Sequence, residues 1–147
     1  MDTISVDISF ADMPHPPGSV LIMTVALNGE VLEAGFALDI SALYNSAQES
    51  GEFFIWTCEC GIPECAGIYH GIRVTHAAHT VVWQAPRRPF EVATRFEFDR
   101  LAYVATIEAG VAEYLRYIQG YQAAGIAFDM GAHDWQLEAV AARMERK

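Results

Sequence analysis

The apolar residues of this chain follow one period up to Phe98 and another beyond Asp99, and that change limits the folds open to it. Ile4, Val6, Ile8 and Phe10 alternate with Ser5, Asp7 and Ser9, the period of two that gives a strand one buried and one wet face. Phe90, Val92, Thr94, Phe96 and Phe98 fall on one side of a later segment, with Arg95 and Glu97 on the other. After Asp99, Leu101, Val104, Ile107, Val111, Tyr114, Leu115 and Ile118 recur at three- and four-residue spacing, the stripe of an amphipathic helix. Strands followed by helices predict an α+β fold, with a mainly antiparallel sheet of about six to seven strands carrying a long helix and a C-terminal helix.

The intervening segments fill in that outline. Val20–Leu27 and Val31–Leu38 flank Asn28-Gly29-Glu30, and Asn-Gly tolerates the positive φ angles of a tight hairpin turn. Both faces of the first of these strands are largely apolar, which predicts a central position covered on both sides. Asp12–Gly18 holds three of the six prolines and is expected to be a loop. Ser41 is the expected N-cap of a short helix ending near Gln48. Phe53–Thr57 is a compact apolar run, and Ile68–Thr75 and Thr80–Ala85 form a hairpin around His76–His79. Asp99 is a plausible N-cap for the long helix, with Phe98 and Tyr103 in staple positions and Gly120 as a stop. The last helix opens at Asp134, with Arg143, Arg146 and Lys147 at its negative end. Trp56, Trp83 and Trp135 sit in apolar surroundings and read as core anchors. At 147 residues with no linker or repeat, a single domain spanning 1–147 is expected.

Charge is distributed unevenly. The formal net charge is −10, and residues 1–72 contain no Lys or Arg, the first being Arg73. Such a field repels nucleic acid and anionic lipid and suits a basic protein partner. The sequence starts without a basic stretch leading into an apolar one, and its apolar runs are too short for a membrane span. Three cysteines within eight residues do not resemble a secreted disulfide framework, so a reducing cytoplasm is the expected location.

Those cysteines form the one cluster that points to specific chemistry. Cys58, Cys60 and Cys65 follow an apolar strand, and Gly61 and Pro63 allow the chain to bend between them. If extended, Cys58 and Cys60 would have Cα atoms roughly 6.6 Å apart on one side. A tetrahedral zinc needs thiolate sulfurs about 2.3 Å from the metal and a fourth ligand. His70 is the nearest, with Glu59, Glu64, His76 and His79 behind it. The alternative chemistry is thiol–disulfide exchange among Cys58, Cys60 and Cys65, against which the spacing departs from Cys-x-x-Cys and Glu59 and Glu64 raise thiol pKa values. The plainest alternative is packing, with Cys58 and Cys65 as small buried hydrophobes and His70, in phase with Ile68, Ile72 and Val74, as a core histidine. His76 and His79 on a hairpin tip, and Arg87 and Arg88 before Pro89, read as solvated. G-x-S-x-G, Walker-type, dinucleotide-binding and H-E-x-x-H motifs are all lacking.

The phrase F-x-W-x-C-x-C-G-x-x-x-C-A-G-I from Phe54 to Ile68, with Trp83 and Phe96–Arg100, resembles small uncharacterised bacterial proteins. The resemblance implies no named activity and carries over only Cys58, Cys60 and Cys65. The Cys-x-Cys start is also similar to zinc-binding SWIM domains, which continue with Cys-x-His where this chain has Cys65-Ala66-Gly67. The expected function is that of a non-enzymatic interaction protein of inhibitor or immunity type with a structural zinc site, the alternative being a thiol-based redox protein.

Overall fold

The computed structural model of the protein describes residues 1–14, 17–31, 37–57, 62–87, 90, 94–125 and 134–146. It is an α+β structure in which all paired strands run antiparallel. β1 (Ile4–Pro14), β2 (Pro17–Leu27) and β3 (Glu30–Val31) form one sheet. β4 (Ala37–Leu38) pairs with β6 (Trp56–Thr57). β5 (Gly51–Phe53), β7 (Ile72–His76), β8 (Thr80–Gln84) and β9 (Arg95–Asp99) form the third, in the order β5-β7-β8-β9. The helices are α1 (Ile40–Gln48), α2 (Arg100–Ala123) and α3 (Asp134–Glu145).

The described strands are thus divided among three sheets, where a single sheet of about six to seven strands was expected. The first and third nearly join: Asp2 makes a single parallel bridge to Phe98, and its N–H donates to the Glu97 carbonyl at 2.9 Å. The Asp2 carboxylate in turn accepts from Glu97 N–H at 2.7 Å and from the Asn28 side-chain amide at 3.0 Å. These two donors, Glu97 first, hold its pKa below the ordinary carboxylate value. The join stops there because β9 ends at Asp99 and the chain turns into α2.

Alternation and register set the core of the four-stranded sheet. Val74, Trp83 and Phe96 lie side by side across β7, β8 and β9, all buried, with Val81 opposite Phe98 one pair further on. On the other sheet, Ile4, Val6 and Ile8 stand opposite Leu27, Val25 and Met23. Those β2 residues are buried; on the opposite face Ala26 is buried, Thr24 half-buried and Ile22 exposed, so β2 is central in its sheet with its outer face only partly covered. The Asn28-Gly29 turn forms as expected, with φ of 54° and 82°, the left-handed values of the favoured hairpin turn.

Asp12–Gly18 departs from expectation: within it the described residues continue the ladder, through Asp12–Ser19 and Met13–Gly18 to Pro14–Pro17. The phase of the ladder accounts for this. Asn28 N–H donates to the Thr3 carbonyl, so pairs at odd positions of β1 are hydrogen-bonded and those at even positions are not. Pro14 and Pro17 occupy a non-bonded pair, where the missing N–H would point away from the partner strand.

The helix ends show similar local corrections. Asp39, not Ser41, caps α1, its carboxylate accepting from Ala42 N–H at 3.0 Å. Asp99 caps α2 as expected, accepting from Ala102 N–H at 2.9 Å, and the Phe98 and Tyr103 rings meet at 5.1 Å. Gly120 does not stop α2, which continues to Ala123, with Gly125 beyond it at φ 72°. Leu101 lies off the buried stripe and is 82% exposed, while Tyr103, Ile107, Val111, Tyr114, Leu115 and Ile118 form the buried face. α1 packs on α2, and α3 on α1. Arg143 of α3 bonds the Asn45 side chain, pairs with Glu49 at 3.5 Å and lies over the Tyr44 ring.

α2 approaches β1 closely at Gly110, where an added Cβ would lie 2.5 Å from Val6 Cγ1 and 2.9 Å from Val6 Cβ. Both contacts involve the stiff, branched part of a side chain. Gly110→Ala is therefore expected to lower stability by roughly 1–2 kcal/mol in denaturant unfolding, although alanine is the better helix former. Adding Val6→Ala should recover part of the loss in a double-mutant cycle.

Candidate functional site

The cysteine segment lies between β6 and β7. β6 ends at Thr57, which is 1% exposed. Cys58, Glu59, Cys60 and Gly61 lie outside the described residues. The chain is described again from Ile62, which leads into a 3-10 turn, Pro63–Ala66, packed beside β6. Pro63 at its start needs no N–H partner, and Gly67 closes it in the left-handed region at φ 76°. Cys65 N–H donates to the Ile62 carbonyl at 3.2 Å, and Ile68 N–H to the Pro63 carbonyl at 3.1 Å. The turn therefore brings the third cysteine back alongside the strand that the first one follows in sequence.

Both described members of the proposed ligand set face solvent. Cys65 is exposed on the turn, and His70 is exposed between buried Ile68 and buried Ile72. Packing in the core therefore explains neither residue. The expectation of a core histidine at position 70 assumed that the strand begins at Ile68. β7 begins only at Ile72, so the alternation that would bury residue 70 does not reach it. Glu64 and His79 are also exposed, as is Arg87, while Arg88 lies outside the described residues.

His70 borders a shallow recess of about 10 Å³ lined also by Phe53, Trp56, Ile68, Pro86 and Phe90 and partly open to solvent. That is room for about one water molecule, so the recess is not a ligand pocket. Among the described residues no group of three His, Cys, Asp or Glu side chains is placed to hold a metal, and Cys58 and Cys60 are not among them.

His76 proves to be structural. It stands opposite Val81 on β8 and its Nε2 lies 2.8 Å from the Ser46 carbonyl in α1, so this expected solvated histidine ties the sheet to a helix. Beside it lies a buried polar group that sequence patterns did not reveal. Trp83 Nε1 donates to Tyr103 Oη at 3.0 Å, Tyr103 Oη and Ser46 Oγ are 2.7 Å apart, and Ser46 Oγ donates to the Leu43 carbonyl at 2.6 Å. The available signal was that a buried tryptophan needs an acceptor, though nothing in the spacing of residues 46, 83 and 103 named it. Trp56 and Trp83 are core residues, as expected, with ring centroids 6.1 Å apart; the Trp135 side chain lies outside the described set.

No helix among the described residues is long and apolar enough to cross a membrane. Comparison with known protein families, curated proteins and solved structures finds no match.

Burial pushes the Tyr103 hydroxyl up to about 12, against the lowering effect of its bonds to Ser46 and Trp83. Below pH 10 the phenol is neutral in both folded and unfolded chains. Between pH 10 and 12 only the unfolded chain ionises there, costing about 1.4 kcal/mol of stability per pH unit. Tyr103→Phe should lose about 1–3 kcal/mol at neutral pH by stranding Trp83 Nε1. The gap from the parent protein should narrow as pH rises from 10 to 12, as chemical unfolding at stepped pH would show.

Proposed function

We propose that this chain is a non-enzymatic interaction protein of the inhibitor or immunity type. It binds a basic macromolecular partner through its acidic N-terminal half, in the cytoplasm of a bacterium. The observation that supports this reading is the outer face of the β1–β2–β3 sheet. Ser5, Asp7 and Ser9 are exposed there, Ile22 stands opposite Ser9 at 39% exposure, and Val31 opposite Ala26 at 58%. Glu30 is exposed at the adjoining turn, and no Lys or Arg occurs in the first 72 positions. Exposed aliphatic side chains set beside the Asp7 carboxylate and small hydroxyls, with Glu30 at the adjoining turn, suit a surface that excludes water at a few points and selects its partner by charge.

Within the same reading, Cys58, Cys60, Cys65 and His70 hold a structural zinc that closes the connection from β6 to β7. The exposure of Cys65 and His70, with a tight turn presenting the thiol, supports this placement. A thiol-exchange site built from Cys58, Cys60 and Cys65 draws on the same exposure of Cys65 and is the second reading.

A pull-down at low and high salt is expected to recover a basic partner at low salt, with recovery falling as salt rises and abolished by Asp7→Lys with Glu30→Lys. Recovery of no basic partner at either salt would contradict the proposal. Elemental analysis is expected to find one zinc per chain, with thiols that react only after chelation. Metal-free protein in which one thiol titrates until reductant is added would instead establish the exchange site.

A further inference from the structure

The phase of the β1–β2 ladder also fixes what β1 presents on its other side. Because Thr3 and Asn28 form a hydrogen-bonded pair, Ser5, Asp7 and Ser9 direct their amides toward β2, and Ile4, Val6, Ile8 and Phe10 direct theirs away. Asp2 has the same phase as this second set, and its N–H does reach a partner on that side, the Glu97 carbonyl. From Ile4 onward β9 is no longer there, and among the described residues no strand pairs with β1 on this side.

Burial tells the same story independently. Ile4, Val6 and Ile8 are only partly buried, although Leu27, Val25 and Met23, directly opposite them on the same face, are buried. α2 packs against β1, yet its inward row stays part-exposed, and among the described residues no strand lies beside that row in the plane of the sheet. Natural edge strands are commonly blunted by lysine, proline or a bulge. Ile4–Phe10 contains neither lysine nor proline, pairs without a bulge, and carries one charge, Asp7.

We propose that the outer edge of β1, from Ile4 to Phe10, is a strand-addition site for an extended basic segment of a partner protein. This deepens the reading of the chain as a binder of basic partners and rests on it. The incoming strand would place apolar residues beside Ile4, Val6 and Ile8, completing their burial over α2. Its alternate residues would lie on the outer face beside Ser5, Asp7 and Ser9, where lysine or arginine meets Asp7 across the strands. Charge argues against a second copy as the occupant: each chain brings a net −10, and β1 has no base to set against Asp7.

The test uses the full chain and a synthetic peptide of alternating valine and lysine. Its binding is expected to slow hydrogen exchange at the amides of Ile4, Val6, Ile8 and Phe10. In antiparallel addition the valine amides face β1, so N-methylating them should weaken binding by about fivefold per blocked amide. Methylating the lysine amides instead should leave it intact. Asp7→Lys, at an exposed position outside the core, should weaken the lysine peptide and favour one with glutamate in its place. Equal binding of the two methylated peptides overturns strand addition and leaves the basic-partner reading standing. Equal binding of lysine and glutamate peptides, with the β1 amides protected, overturns the charge selection on which that reading depends. No binding by any of them overturns the edge as a docking site, and the pull-down still decides separately whether a basic partner exists.

Discussion

The indole of Trp83 is the constraint around which the described structure is arranged. It is fully buried at the centre of the four-stranded sheet, with the rings of Trp56, Phe90, Phe96, Phe98 and Tyr103 around it at centroid distances of 5.3–6.4 Å. These are edge-on contacts, the arrangement aromatic quadrupoles favour. Its one polar atom would cost about 1–3 kcal/mol if left unpaired. Tyr103 supplies the acceptor only because Asp99 caps α2 in the register that points residue 103 inward. Ser46 then draws α1 to the same point, and His76 reaches from β7 to the carbonyl of that serine. One donor requirement thus links sheet, long helix and short helix.

That arrangement has a consequence at the other sheet. α2 leaves β9 directly, so it must pass beneath whatever strand lies next in the plane, and that strand is β1, held at its start by Asp2. Gly110 permits the close approach to Val6. β1 is therefore supported from below and paired on one side, while β9 leaves its other edge as it gives way to the helix. The same turn that satisfies Trp83 makes β1 an edge strand among the described strands.

What was legible in the sequence was whatever depends on neighbours within a few residues. The change of period at Asp99, the Asn28-Gly29 turn, the Asp99 cap and the Phe98–Tyr103 staple all belong to that class, and so do the strand cores. The departures depend on partners distant in sequence. Whether prolines interrupt a ladder depends on its phase, which a hydrogen bond between Thr3 and Asn28 sets. Whether a histidine is buried depends on where its strand begins, and on this count His70 and His76 exchanged roles: the expected core residue is exposed, and the expected solvated one is bonded to α1. Gly120 shows that a glycine alone does not end a helix, since α2 runs three residues past it to Ala123. The separation of the β4–β6 pair from the four-stranded sheet follows from β5 and β6, separated by two residues in sequence, pairing with different strands.

A connection between β6 and β7 could have been closed by burying its side chains, as Ile68 is buried. Instead, the 3-10 turn holds its geometry through backbone bonds and a left-handed glycine, and Cys65 is left on the surface. Cysteine is among the residues most often buried, so a thiol displayed by a locally rigid turn is poorly explained by packing. His70, displayed three residues past the closing glycine, is poorly explained by it as well. The exposure of Cys65 and His70, beside backbone ordered by its own bonds, is what the proposed zinc or thiol-exchange site draws on.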